Sequence, residues 1–150
     1  MKNKTEAVQT LPMLPCACSN LRRTARMVTK LYNRELRDTG LELTQFTLLM
    51  ALSRTGETTQ GKLGKLLALD STSLTRMLRA LIDHGWIRGR PGDDRRQRLL
   101  SLTRAGREKL ERSQPNWEKA QRRLREKLGD ALWAQMTSVV AGMTRACVVG

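Results

Sequence analysis

Three observations predict a mainly α-helical fold with one small β-hairpin. Apolar residues recur at helical spacing along most of the chain, the period turns extended in one short window, and a strongly basic segment surrounds that window. The 150 residues suffice for one domain with its own core, and no shift in composition marks a second. Apolar residues make up 39%, as expected of a globular chain and not of a disordered one. No apolar run approaches the roughly 18–20 residues of a membrane span. Met1 to Pro15 lacks the continuous apolar stretch of a secretion signal, so a cytoplasmic location is expected.

The first helix is expected over roughly 15–38, with Cys18, Leu21, Ala25, Val28, Tyr32 and Leu36 as its apolar stripe. Arg22, Arg23, Arg26, Lys30, Arg34 and Arg37 occupy the other side, and Gly40 is a stop. Thr44 is the expected cap of a second helix from Gln45 to about Ser53. Thr59 caps a short third helix, Gln60 to Leu67, with Leu63, Leu66 and Leu67 inward. Gly61 and Gly64 weaken that helix by about 1 kcal/mol each, so tertiary packing must hold it. A brief turn then leads to Asp70 or Ser71 as the cap of a fourth helix, with Leu74, Met77, Leu78, Leu81 and Ile82 inward. Short helix, tight turn, longer helix is a helix-turn-helix pattern.

After Gly85 the extended segments 86–90 and 98–102 flank Pro91–Gly92–Asp93–Asp94. Proline then glycine suits a type II turn, so a β-hairpin is expected. A hairpin directly after a helix-turn-helix is a wing. Thr103 caps a fifth helix, in which Pro115 should produce a kink or a break. Asp130 starts a sixth, with Leu132, Met136, Val139, Val140, Met143 and Cys147 along one face. The expected organisation is a winged core at about 44–102 that can close alone. Helices at about 15–38 and 104–148 then carry apolar stripes that want another surface, most economically a second copy of the chain.

Charge supplies the functional clue. Lys and Arg number 28 against 14 acidic residues, a net +14 that favours a polyanionic partner. Residues 71–107 hold nine arginines against three aspartates, a net +6, where an ordinary solvated surface would interleave the signs. With one Phe, one Tyr and three Trp, the chain lacks the aromatic platforms of single-strand and RNA modules, which points to duplex DNA. On the fourth helix Ser71, Thr72, Ser73, Thr75, Arg76 and Arg79 form the outward arc. Small hydroxyl residues let a helix end approach a groove, and an arginine one turn later can fork onto guanine. In the wing, Arg95, Arg96 and Arg98 follow Asp93 and Asp94. An aspartate two residues before an arginine can orient its guanidinium, and an arginine on a thin hairpin can enter a narrow minor groove.

At this point the sequence resembles a known family. Asp94-x-Arg96, followed by Leu102–Thr103-x-x-Gly106, is similar to the wing signature of MarR regulators, and Leu69–Asp70–Ser71–Thr72–Ser73–Leu74–Thr75–Arg76 resembles their recognition helix. The likeness spans about residues 16–147. It implies that Arg96 enters the minor groove with Asp94 as its orienting partner. It also implies a homodimer built from the terminal helices, reading an inverted-repeat operator in duplex DNA. Control would come from a small ligand, aromatic or phenolic, in a cleft between the dimerisation and winged parts. Within the family, Cys18–(x10)–Thr29–Lys30-x-Tyr32 resembles the first helix of the organic-hydroperoxide-sensing branch. That likeness marks Cys18 as the candidate redox-sensing cysteine, with Tyr32 as a tyrosine partner and Cys16 as a neighbouring thiol. The other two tyrosine positions of that branch fall on Arg22 and Leu43.

The expected function is therefore a sequence-specific DNA-binding transcriptional regulator, a repressor released by a small ligand or by cysteine oxidation. The rival is a sequence-nonspecific architectural nucleic-acid-binding protein, which total charge alone would permit. An enzyme is not expected, because no paired carboxylates or phosphate loop occur and His84 is a lone imidazole at a helix end. Three cysteines and one histidine supply neither a disulfide scaffold nor an ordinary zinc site, so no metal or cofactor is expected.

Overall fold

The structure, a computed structural model, describes residues 12–94 and 96–148. Helix α1 (Ala17–Leu36) runs into a 3-10 turn (Arg37–Thr39) and is followed by α2 (Leu43–Thr55), the two-residue strand β1 (Thr58–Thr59) and α3 (Gln60–Leu67). Helix α4 (Ser71–Asp83), strands β2 (Ile87–Pro91) and β3 (Arg98–Leu102), and the long α5 (Arg104–Val148) complete the order. The fold is mainly α with a small antiparallel sheet, as expected, but the sheet has three strands in the order β1-β3-β2.

Local chemistry accounts for most boundaries. Thr59 Oγ1 accepts the Lys62 N–H at 3.2 Å, and Asp70 Oδ1 accepts the Ser73 N–H at 2.8 Å, so these residues start α3 and α4. Thr44 does not cap α2. That helix begins two residues earlier, at Leu43 after Glu42, whose backbone N–H donates to Gln45 Oε1 at 3.0 Å. Between α3 and α4 the chain reverses at Ala68, which sits left-handed at φ 51°, while Leu69 N–H reaches back to the Gly64 carbonyl at 2.9 Å. A Cβ on Gly64 would lie 3.3 Å from the Leu69 oxygen and from the Leu74 side chain. The glycine that weakens α3 thus allows the tight turn. Leu66, expected inward, is 59% exposed, because the eight residues of α3 bury only Leu63 and Gly64.

The wing turn also differs from expectation. Strand pairing continues to Pro91 opposite Arg98, and Gly92 does not take the positive φ of a type II turn. The reversal is closed by Gly92 N–H to the Gln97 carbonyl and Gln97 N–H to the Asp94 carbonyl, both 2.8 Å.

One continuous apolar core runs from Leu36 to Leu110. It includes Leu41, Phe46, Leu49, Leu63, Leu74, Leu81, Ile87 and Leu100, with Trp117 packed against it. The core therefore extends past the expected 44–102 at both ends. Phe46 stacks on Trp117 with ring centroids 5.7 Å apart, fastening α5 to the winged part.

Helix α5 continues through Pro115, where only one intrahelical donor is lost and the segment is exposed enough for the freed carbonyl to be hydrated. The break falls instead at Gly129 (φ 72°, ψ 162°), a backbone conformation essentially reserved for glycine. Residues 104–128 form a first arm and 130–148 a second.

Helix α1 is docked over only its C-terminal half. Tyr32 and Leu36 are buried against the rest of the chain, whereas Cys18, Leu21 and Ala25 of the same stripe are exposed. A row of polar contacts joins α1 to the first arm of α5. Tyr32 Oη donates to Gln121 Oε1, and Asn116 Nδ2 donates to the Glu35 carbonyl at 2.8 Å. The Glu35 carboxylate lies 3.2 Å from Lys119 Nζ and also pairs with Arg123. Burial raises the Glu35 pKa, but the hydrogen bonds and charges of Lys119 and Arg123 outweigh it and hold the carboxyl below its ordinary value. Among the described residues the second arm has no such partners: Leu132, Val139, Val140 and Met143 are all exposed, the two valines at 58% and 54%.

Candidate nucleic-acid interface

The outward face of α4 and the wing beside it carry the expected site residues. Ser71, Thr72, Thr75, Arg76 and Arg79 are exposed and Ser73 is half-buried. Thr72, Arg76 and Arg79, at spacings of four and three, form one stripe opposite buried Leu74, Leu78 and Leu81. Two of the hydroxyls are already engaged. Ser73 Oγ donates to Asp70 Oδ2 at 2.7 Å, and Thr75 Oγ1 accepts from Gln60 Nε2 at 2.8 Å. Both backbone and side-chain bonds from Ser73 hold the Asp70 carboxyl below its ordinary pKa, keeping the cap charged near neutral pH. Gln60 was not singled out from the sequence. Its place opposite Thr75 follows from the α3–α4 turn, which residue spacing does not reveal.

Arg79 and Arg98 converge on a recess of about 300 Å³ between α4 and the sheet, with Leu78, Ile82 and Leu100 among its lining. At the wing tip, Asp93, Asp94 and Arg96 are exposed. Asp94 does not grip the Arg96 guanidinium: its Oδ1 accepts the Arg96 backbone N–H at 2.9 Å, bracing the turn and leaving the side chain to project. Arg95 lies outside the described residues.

Behind this face, His84 closes α4 and stacks on Trp86 at 4.4 Å between centroids. Lys109 Nζ stands 4.9 Å from the Trp86 ring centroid and donates to the Thr39 carbonyl. Trp86, Lys109, Arg112, Ser113, Asn116, Asp38 and Thr39 line a recess of about 460 Å³ where the winged part meets α5.

Cys18 lies on the expected helix-one stripe, in the part of α1 left exposed, and Cys147 lies near the end of α5. Cys16, Cys18 and Cys147 are free and exposed. Cys16 precedes the first residue of α1, and hydrogen bonds from the Ser19 side chain and backbone lower its thiol pKa. Tyr32, expected as a redox partner of Cys18, is buried with its hydroxyl committed to Gln121, because the α1–α5 junction draws it inward. Among the described residues no His, Cys, Asp or Glu cluster could hold a metal ion, and no helix is long and apolar enough to cross a membrane.

A short helix, a tight turn, an exposed hydroxyl- and arginine-bearing helix and a basic hairpin define a winged helix-turn-helix protein. The chain belongs to the MarR family, which matches residues 41–97. Its fold is that of the Mycobacterium tuberculosis transcriptional regulator MosR, solved in complex with DNA. The two are 32% identical, with 88% of this chain and 96% of that one covered at a TM-score of 0.80. A mutant of Escherichia coli MarR complexed with operator DNA, at 23% identity and a TM-score of 0.77, shares the same fold, with 84% and 91% of the two chains covered. The uncharacterized HTH-type transcriptional regulator YwoH of Bacillus subtilis is 31% identical over 91 residues, which are 61% of this chain and 66% of that protein. These relatives are transcriptional regulators and not enzymes, and the chain stands among them.

Proposed function

We propose that this protein is a homodimeric repressor that reads an inverted-repeat operator in duplex DNA. The observation that carries the reading is the exposed stripe of Thr72, Arg76 and Arg79 on α4, joined to the wing by the recess that Arg79 shares with Arg98, with an exposed Arg96 at the wing tip. The helix supplies groups for base edges in the major groove, and the wing supplies an arginine for the minor groove. The DNA complex solved for MosR supports it at 32% identity. The uncovered apolar faces of α1 and of residues 130–148 support a second copy as the partner that buries them.

Release has two routes, each with a motivating feature. The recess lined by Trp86, Lys109 and Arg112 offers cations beside an aromatic ring to an aromatic or phenolic anion, at the junction of the winged part with α5. The exposed Cys16 and Cys18, one with a thiol favoured toward thiolate, offer oxidation at the start of α1.

The test begins with selection of bound sequences from a random duplex pool. A dyad-symmetric site with half-site centres about 10–10.5 base pairs apart is expected. Arg76→Ala or Arg79→Ala should then cost about 1–3 kcal/mol and relax preference at one position per half-site. Arg96→Ala should weaken all duplexes and flatten the salt dependence. Equal affinity for selected and random DNA at physiological salt would refute the repressor reading and leave the architectural one. Peroxide or aromatic acids added to the bound complex, with wild-type and Cys16→Ser/Cys18→Ser protein, separate the two routes of release.

A further inference from the structure

The arginines of the wing are not equivalent. The strand order β1-β3-β2 leaves Arg88 and Arg90 on one face of β2, opposite Ser101 and Leu99 of β3. Arg88 Nε donates to Ser101 Oγ at 3.0 Å. Arg90 reaches across β3 to Glu57, the residue before β1. Its Nε donates to Oε2 at 2.9 Å and its Nη2 donates to Oε1, a two-pronged pair between residues 33 positions apart. Arg98 lies against Gly89, partner strand to strand. At the tip, the Arg96 backbone is braced by Asp94 while its side chain is exposed.

The pair joining Glu57 to Arg90 contributes little to folding. Both side chains are partly exposed, 35% and 58%, and exposed pairs are weak in water. Its consequence is for where positive charge is available. A cation free to meet phosphate adds affinity for every sequence alike, and so dilutes discrimination. A carboxylate beside a DNA-facing hairpin costs affinity unless it does something else.

We propose that Glu57 is a specificity-determining residue of the DNA interface: it withdraws Arg90 from the phosphates and ties the turn-proximal end of β2 to the start of β1, so that the tip projects from a fixed sheet. The proposal rests on the DNA-binding reading above. Glu57 is charged when it acts, since the bonds from Arg90 hold its carboxyl below the ordinary value, with the Arg88 charge adding to the effect.

The experiment compares full-length wild type, Glu57→Gln, Arg90→Gln and the double variant. Each is titrated against the duplex selected by wild type and a shuffled duplex of equal length, over a series of salt concentrations. Glu57→Gln should bind the shuffled duplex more tightly, with a slope of log affinity against log salt steeper by about 0.9, as one more phosphate is neutralised. Operator binding should not gain in proportion, and the operator-to-shuffled ratio should fall at least about threefold, the scale of an exposed ion pair. Arg90→Gln should not steepen the slope, and adding Glu57→Gln to it should change the slope no further. Melting temperatures should stay together, which a purely structural role for the pair would not allow alongside a changed ratio. A Glu57→Gln protein that shifts both duplexes equally, or that steepens the slope without Arg90, overturns the proposal. Wild-type protein that selects no sequence overturns the DNA-binding reading itself, and this one with it.

Discussion

The winged part and the second arm of α5 contain similar apolar residues and put them to different use. Phe46, Leu49, Leu74 and Leu100 of the winged part are buried by their own chain, which closes a core from Leu36 to Leu110. Leu132, Val139, Val140 and Met143 sit on an equally regular helical stripe and remain exposed. The difference teaches that hydrophobic periodicity specifies a face, and only the surrounding chain decides what the face meets. In the winged part the α2, α3, α4 and sheet faces converge within one chain. After Gly129 turns the helix, residues 130–148 find nothing among the described residues of their own chain to close against.

The largest effect should come from breaking the winged side of that contrast. Phe46 is fully buried and stacks on Trp117, so Phe46→Ala removes core volume and the fastening of α5 together. A loss of about 3–5 kcal/mol is expected, read as a lowered denaturant midpoint. Val139→Ala should stay within about 0.5 kcal/mol in dilute, monomeric protein, because the side chain is already in water. Similar losses at the two positions would abolish the contrast.

A second prediction sharpens the other side. Val139→Asp with Val140→Asp should leave a folded monomer whose melting temperature no longer depends on concentration, whereas wild type should melt higher as concentration rises. Sedimentation supplies the independent reading. A double variant that sediments as wild type does would show that residues 130–148 are not the assembly surface.

The winged half was legible in the sequence because its signals are local. Thr59 and Asp70 cap helices through bonds to residues three positions on, and such spacing can be read directly. What was misread depended on chain segments far apart. Tyr32 was read as one more residue of an apolar stripe waiting for a second copy of the chain, but Gln121, 89 positions away, holds it within its own chain. Strand β1 is only Thr58–Thr59, too short for any alternation, and exists because Leu99 and Leu100 offer it an edge. Pro91–Gly92 carried the composition of a type II turn, yet pairing of Pro91 with Arg98 moved the reversal to Asp94–Gln97. Of the interface, the arc of α4 and the wing tip were visible as residue types at helix and hairpin positions. Gln60 and Glu57 were not, since each acts through a partner that only the turn or the sheet order brings near.

A smaller loss than that of Phe46→Ala is expected at the boundary between the two regions, where Glu35 holds α1 to the first arm of α5. Its side chain is almost entirely buried, while Lys119 and Arg123 remain 54% and 45% exposed. Glu35→Gln keeps the shape and removes the charge. A wholly buried pair broken in this way costs about 3–5 kcal/mol, but here the two cations can turn to water, so about 1–2 kcal/mol is the expected loss. The pH dependence gives the sharper test. The carboxyl is held below its ordinary value of 4.5, so the folded state binds its proton less readily than the unfolded chain does. Its contribution is therefore complete above that ordinary value and fades as the pH falls through the lowered one. Wild type should lose more melting temperature than Glu35→Gln on acidification below 4.5, and the two curves should converge at the acid end. Curves that fall in parallel would mean that α1 is held by Tyr32, Leu36 and Asn116 alone, and that the charge at the junction is incidental.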